Sequence, residues 1–422
     1  MVHQFAFWTY ATYSMVYQVE IVGLNPFQLV LVGTVLEVSY FLLEIPTGVV
    51  ADVYSPRLSV SIGYLLVSIG FGLTGLTTDF GVILICQVIW GGGYTFLSGA
   101  LEAWIADELS HAGLITEQPV NLTPAGQLTL GQVYLRGSQL GNLGALIGIG
   151  LGALLAQHTM ALPLLVGGGI FLLLAVGLCL TMPEVGFSRT PATERESWGQ
   201  LLDTASRGFR TVRGQPVLLT MFVIAAFVGA WSESFDRLWT KHLVDNFTLP
   251  TIPMPNGGEL DQVAWFALIQ ATGFLLALGT TEVVRRRVDT ANPRRLMGML
   301  VAINSLLLVG ALLFAYAQWF GMAFAAFWLI GTMRTTIGPL FTRWINQYLH
   351  AAVRATVLSM HGQSDAIGQV IGGPLIALVG TWHTLRSALV VGSLLLGPAI
   401  VLYGRLLRQT DGWLGADHQQ SS

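Results

Sequence analysis

The sequence predicts an all-α integral membrane protein, with twelve transmembrane helices arranged as two pseudo-symmetric six-helix bundles. Three observations carry this prediction. The 422 residues are 53% hydrophobic and 10% charged, with a mean hydropathy of +0.64; soluble domains carry about 25% charged residues. Twelve apolar stretches follow one another along the chain, each near the roughly 20 residues that cross a bilayer core. Three segments of the first half also recur in the same order in the second, as expected of a doubled unit.

The first six spans are Phe5–Val22, Leu29–Val50, Leu58–Leu76, Val82–Ile105, Val133–Ala156 and Leu162–Met182. The second six are Val217–Trp239, Val263–Val284, Leu296–Tyr316, Phe320–Ile345, Ala355–Val379 and Ser387–Leu407. Connections such as Thr77–Gly81 and Gln157–Ala161 are short enough that the helix turns straight back. The domains follow: residues 1–182 form an N-terminal bundle, 183–216 a cytoplasmic linker, 217–408 a C-terminal bundle and 409–422 a cytoplasmic tail. The linker is rich in Arg, Glu, Ser and Thr, and Trp198–Arg213 reads as an amphipathic surface helix or a plain tether. The 49 glycines suit close helix packing in lipid. Cys86 and Cys179 lie in apolar runs and read as buried hydrophobes. The N-terminus lacks a basic region and runs into the first span, so no cleavable signal peptide is expected.

Arginine sets the orientation. With the N-terminus in the cytoplasm, the even-numbered loops hold Arg57, then Arg189, Arg195, Arg207, Arg210 and Arg213, then Arg285, Arg286, Arg287, Arg294 and Arg295, then Arg354. The odd loops hold Asp79, Asp245, Glu259 and Asp261, with Lys241 and Arg386 as their few basic residues. Basic residues collect on the cytoplasmic side of membrane proteins, so both termini are placed there, in a multi-pass protein of the cell (inner or plasma) membrane.

The internal repeat is chemically asymmetric. FLLEIPTGVVADV from Phe41 overlies FLLALGTTEVVRRRV from Phe274, LEAWIADEL overlies FTRWINQYL with Trp104 on Trp344, and LGNLGALIG overlies IGQVIGGPL with Gly141 on Gly368. Asp52 thereby falls opposite Arg285, so the acid that ends span two has a basic counterpart in span eight.

Charges at membrane depth are costly and mark function or pairing. Glu37 lies near the middle of span two, and Glu44 is two turns along the same helical face. Pro46 follows, freeing a carbonyl at a natural bend. Span four carries Glu102 and Asp107, Arg136 opens span five, and span seven holds Glu233, Asp236 and Arg237 in WSESFDRLW. Spans ten and eleven add Arg334, Arg343 and Asp365. A carboxylate held in a dry place can exchange a proton near neutral pH, the chemistry of proton coupling. Glu37 is the first candidate for coupling or substrate contact, with Glu44 and Asp365 next. Glu233 and Arg237 have the spacing of a helical ion pair, and Glu102 with Arg136 reads as a second clamp. In spans five and eleven, the stripes Gly137, Gly141, Gly144, Gly148 and Gly368, Gly372, Gly373 read as packing faces, with Gln363 and Gln369 available to hydrogen-bond a ligand. The aromatics Trp8, Tyr10, Tyr13, Tyr17, Trp231 and Phe235 read either as cavity walls or as interfacial anchors.

Twelve spans in related halves, a long middle loop and the loop after span two together resemble the major facilitator superfamily over essentially the whole chain. That family ends its second span with a glycine, an aspartate four residues later, then glycine and basic residues. Gly48, Asp52 and Arg57 occupy those places, while Val53, Ser55 and Pro56 depart from the pattern. EIPTGVVAD and SGALEAWIADEL are similar to a bacterial, drug-efflux-like branch, although span five lacks the proline of its antiporter motif. The resemblance implies that Asp52 faces the N-terminal end of span eleven; beside it, the charges themselves allow Arg57 to pair with Asp107 or Glu108 at the end of span four, and such pairs would form a gating latch. A carboxylate at a helix N-terminus gains about 0.3–2 kcal/mol. The alternative for these charges is simple anchoring of helix ends.

The function expected is a secondary transporter that works by alternating access, with protons as coupling ion and efflux of small amphipathic or hydrophobic compounds. Proton-coupled uptake of a small nutrient is the alternative. A lipid-modifying membrane enzyme is disfavoured because the eight histidines are scattered without metal-ligand spacing. No nucleotide-binding loop of the Gly-Lys-Ser/Thr type is present, which argues against an ATP-driven pump. The expected partners are a small-molecule substrate, protons and the bilayer, with no cofactor, metal or nucleic acid, and a monomer suffices.

Overall fold

Caps written into the sequence start many of the helices. In the computed structural model, which describes residues 1–115, 128–187, 216–253, 259–260, 262–287, 292–348 and 351–420, Ser55 accepts the Leu58 N–H at 3.0 Å, with Pro56 in the first helical turn. Asp79 accepts from Val82 N–H at 2.9 Å. Thr129 and Gln132 form a reciprocal capping box, while Asn292 and Thr384 cap two later helices. Each satisfies amide groups that a helix start leaves orphaned.

The helices are α1 (Val2–Val16, continued by a π-helical turn Tyr17–Ile21), α2 (Pro26–Val53), α3 (Pro56–Leu76), α4 (Phe80–Leu97), α5 (Ala100–His111), α6 (Leu130–Ala156) and α7 (Leu162–Thr181). Then come α8 (Pro216–Asn246), α9 (Gln262–Arg287), α10 (Pro293–Ala315), α11 (Phe320–Tyr348), α12 (Ala351–Trp382), α13 (Leu385–Leu394) and α14 (Leu396–Gln420). A two-residue antiparallel ladder joins Ile252–Pro253 to Glu259–Leu260. The all-α membrane class therefore holds. Among the described residues ten helices are long and apolar enough to cross a membrane, against twelve expected. As an α-helix, Val2–Val16 is too short to count, and Ala351–Trp382 carries Gln363, Asp365 and Gln369, which dilute its hydropathy.

Span four, expected to be continuous, is two helices. The chain breaks at Ser98 and Gly99, where Gly99 takes φ 74°, a left-handed conformation that glycine adopts without a Cβ penalty. Ser59 Oγ, from α3, donates to the Phe96 carbonyl at 2.8 Å and satisfies an acceptor beside the break.

Contacts divide the chain into two compact units. The first comprises Met1–Leu24, Val35–Arg195 and Thr251–Ala267; the second comprises Asn25–Thr34, Glu196–Pro250 and Leu268–Ser422. In the first unit α1 packs on α6 and α7, and α3 packs on α4 and α7. In the second, α8 packs on α12 and α14, and α10 packs on α11 and α14. In span order the pairs one–five, one–six, three–four and three–six of one unit recur as seven–eleven, seven–twelve, nine–ten and nine–twelve of the other. The repeat read from three weak sequence matches is thus a repeat of packing.

Small residues bring the paired helices together, as expected in lipid, where packing rather than exclusion from water drives association. A Cβ on Gly144 of α6 would overlap the carbonyl of Met1, just ahead of α1, and one on Gly148 that of Phe5 on α1. One on Gly368 of α12 would overlap the Ala226 carbonyl on α8. Aromatics fill the first unit's core. Tyr10 stacks on Phe71 with centroids 3.5 Å apart, and Phe71 meets Phe171 edge-on at 5.5 Å. Tyr13 and Tyr17 are buried and donate to the Val263 and Thr77 carbonyls. Of the two readings open for the aromatics of spans one and seven, Tyr10, Tyr13, Tyr17, Trp231 and Phe235 take neither: they are packed core.

Candidate functional site

Five of the charged residues singled out in the sequence gather in the second unit. Glu233, Asp236 and Arg237 lie within little more than one turn of α8, Arg334 lies on α11 and Asp365 on α12. Arg237 Nε donates to Glu233 Oε1 at 3.1 Å, and that carboxylate is 4% exposed. Arg334 forks onto Asp236: Nη2 donates to Oδ2 at 2.7 Å and Nη1 to Oδ1. The same guanidinium lies 5.4 Å from the Trp231 ring centroid, within reach of a cation–π contact. Asp365 accepts from Gln369 Nε2 at 2.7 Å and interacts electrostatically with Arg334. Gln369 is therefore engaged with a carboxylate rather than presented to a ligand. Three carboxylates share two guanidiniums here: Arg237 is held by Glu233 on its own helix, and Arg334 stands between Asp236 on α8 and Asp365 on α12.

Glycine makes room for this cluster. A Cβ on Gly33 of α2 would overlap Glu233 Oε1 and the Arg237 guanidinium, and one on Gly373 would press on Glu233 Cγ at 2.9 Å. Gly33 carries no chemistry of its own and no motif marks it in the sequence. Only the backbone contact reveals it.

The first unit contributes a different environment. A cavity of about 300 Å³ is lined by Phe7 of α1, Leu36, Glu37 and Tyr40 of α2, and Trp90 and Tyr94 of α4. Tyr40 and Tyr94 have centroids 6.0 Å apart, and Trp90 is braced by Phe71 at 5.1 Å and Tyr10 at 6.1 Å. The Tyr40 hydroxyl donates to Ser98 Oγ at 3.2 Å, at the break in span four. Glu37, Glu44 and Glu102 all act electrostatically on that hydroxyl. Glu37 is half-buried, whereas Glu44, expected to share its inward face, is exposed. The sequence signal for the aromatic walls was available in the spacing of Trp90 to Tyr94 and of Glu37 to Tyr40, one helical turn each.

Two expected pairings are replaced. Glu102 and Arg136 are exposed and form no ion pair among the described residues; the helices meet through Tyr134, whose hydroxyl donates to the Glu102 carbonyl at 3.0 Å. Arg57 does not pair with Asp107 or Glu108. Its guanidinium lies 3.4 Å from Glu184, just past α7, and the same carboxylate accepts from the Arg57 N–H at 3.1 Å and the Ser55 hydroxyl at 2.5 Å. Glu108 instead accepts the Gly186 N–H at 2.8 Å, the Trp104 indole donates to the Pro183 carbonyl at 2.6 Å, and Gly186 lies against the Asp107 carbonyl. The physical reason is proximity: α3 packs on α7, which brings Glu184 to the loop ahead of α3. Arg343 is exposed. Among the described residues a Cβ on Gly48 would meet nothing within 4 Å, so Gly48 is not a close-packing point there. The side chains of Asp52, Arg285–Arg287 and Arg354, and the whole of Trp198–Arg213, lie outside what the structure describes.

A sequence profile of the Major Facilitator Superfamily matches residues 1–290. A Bacillus subtilis (strain 168) protein, "Uncharacterized MFS-type transporter YxaM", is 19% identical over 377 residues, covering 89% of this chain and 86% of its own length. The fold is similar to the crystal structure of the nucleoside transporter NupG, with TM-score 0.69 and 14% identity over 96% of this chain and 98% of that one. It is also similar to a bacterial homologue of the human lysosomal transporter Spinster in its inward-facing, occupied conformation, with TM-score 0.68 and 14% identity over 97% and 95% of the two chains. At such identities the likeness is one of fold.

Proposed function

The chain belongs to the major facilitator superfamily, and from that premise we propose that it is a proton-coupled secondary transporter that exports small amphipathic or hydrophobic compounds by alternating access. The observation that supports this reading is the cluster of Glu233, Asp236, Arg237, Arg334 and Asp365 on three membrane helices. In a low-dielectric setting, adding or removing one proton there changes which acid each guanidinium prefers. Such an exchange moves charge between helices and biases one of two conformations, as transport requires. Glu37, on the wall of the aromatic cavity, is the carboxylate proposed to meet the substrate.

Gating is proposed for the loop between spans two and three. Asp52 would face a helix N-terminus, Arg57 would tie the loop to Glu184 past α7, and Gly48 and Asp107 would lie at the helix ends that move as this side opens and closes. Both termini are placed in the cytoplasm of a cell-membrane protein by the arginine distribution, the two six-helix bundles are joined by the linker 183–216, and a monomer is the working unit. Uptake would use the same groups with opposite net flux.

The test is substrate flux in proteoliposomes with an imposed pH gradient, comparing the wild type with Glu233→Gln, Glu37→Gln and Asp52→Asn. Export driven by the gradient, lost in Glu233→Gln, is the expected result. Flux that persists after the gradient is collapsed would remove proton coupling. Inward net flux would select uptake.

A further inference from the structure

We propose that the cavity of the first unit is a binding site for small organic cations, above all those with a quaternary or tertiary ammonium centre and an apolar substituent. This deepens the reading above by naming the substrate class for the Glu37 cavity, and rests on that reading for its transport role. The lining is the reason. Of the six described residues that line it, four are aromatic (Phe7, Tyr40, Trp90 and Tyr94), one is Leu36 and one is the carboxylate of Glu37; none of these six is basic. Aromatic faces attract a cation through the ring quadrupole, most strongly when the cation is desolvated. A carboxylate supplies the opposite charge.

The rings are positioned rather than loose. Trp90 is braced by Phe71 and Tyr10, Phe7 by Trp8 at 5.9 Å, and Tyr40 is tied to Ser98 through its hydroxyl. Preorganised rings lose little entropy when a ligand seats. All four remain partly accessible, Tyr94 at 41%, so their faces are available. The described charges nearest the Tyr40 hydroxyl have the same sign: Glu44 and Glu102 join Glu37 in acting on it. An anion would meet the Glu37 carboxylate on the cavity wall, and a neutral molecule would gain only apolar contact. The volume of about 300 Å³ is at the small end of ligand pockets and suits a compact cation better than an extended drug.

The second unit provides the contrast. There Arg334 already lies against Trp231 and is held by Asp236, so the face of that ring is engaged by a protein cation. In the first unit the rings face a cavity instead.

The test is equilibrium binding to the full chain in lipid nanodiscs with no gradient. The probes are benzyltrimethylammonium, its neutral carbon isostere neopentylbenzene and the anion 4-tert-butylbenzoate. Saturable binding of the cation is expected, at least about tenfold tighter than the isostere, with no measurable binding of the anion. Trp90→Leu and Glu37→Gln should each weaken it about tenfold or more, and Trp90→Phe, which keeps a ring, should weaken it less than Trp90→Leu. Should Trp90→Leu fail to fold, Tyr94→Leu at the accessible rim should show the same direction of loss. Equal binding of cation and isostere, tighter binding of the anion, or unchanged affinity in Glu37→Gln and the ring variants would overturn the proposal. Cation binding without gradient-driven flux would leave this site standing and remove proton coupling.

Discussion

Replacing Arg334 by glutamine should harm the protein more than replacing its partner Asp236 by asparagine. Two unit charges about 4 Å apart interact by about 4 kcal/mol at an effective dielectric near 20, and desolvation opposes part of that. The side chains are 34% and 44% exposed, so the cost of breaking the pair lies between the 3–5 kcal/mol of a fully buried pair and the 0–1 kcal/mol of a surface one, at about 1–3 kcal/mol. Charge balance then ranks the two variants. The cluster has Glu233, Asp236 and Asp365 against Arg237 and Arg334. Asp236→Asn leaves two acids with two cations, and Arg334 keeps Asp365 as a neighbour. Arg334→Gln leaves three acids with one cation and strips the contact to Trp231. We expect a loss of about 1 kcal/mol for Asp236→Asn and about 2–3 kcal/mol for Arg334→Gln, read from reversible unfolding in detergent. The double variant should fall short of the sum by at least about 1 kcal/mol, since contacting residues are non-additive. Equal losses in the two single variants, or additivity within about 0.5 kcal/mol, would refute the reasoning.

Further outcomes follow from the packing. Gly368→Val should cost about 2 kcal/mol or more, because its Cβ would overlap the Ala226 carbonyl and backbone cannot yield as a side-chain tip can; Gly48→Ala, with nothing within 4 Å among the described residues, should leave the melting temperature unchanged or raise it slightly, as replacing glycine inside a helix does. Glu184→Gln should cost under about 1 kcal/mol, since Arg57 is 44% exposed and the ion pair is screened, while Glu184→Ala should cost more by also orphaning Ser55 and the Arg57 N–H. Equal melting shifts for the two Glu184 variants would show that the hydrogen bonds contribute nothing.

Much of the candidate site was legible in the sequence because charge is rare in membrane helices. Glu233, Asp236, Arg237, Arg334 and Asp365 each stood out against apolar surroundings, and the structure gathers them. Helical spacing was enough for the Glu233–Arg237 pair, since a separation of four puts both on one face. Spacing says nothing about contacts between helices, and there the reading failed. Glu102 and Arg136 do not meet, and Arg57 finds Glu184, a residue 127 positions away that no local pattern connects to it. The aromatic walls were harder still, because an aromatic in a membrane helix reads equally as core, anchor or ligand surface.

The sequence alone determined the membrane class, the succession of apolar helices, the helix starts and the doubled architecture. Each is a local property: hydropathy along about 20 residues, a cap acting within one turn, or a segment compared with its own copy. Only the tertiary structure decided which helices touch, that span four breaks at Gly99, which glycines lie against another backbone, and that Phe7, Glu37, Tyr40, Trp90 and Tyr94 enclose one cavity. Those facts depend on packing between segments far apart in the chain, where lipid offers no hydrophobic drive and shape, small residues and paired charge select the partners.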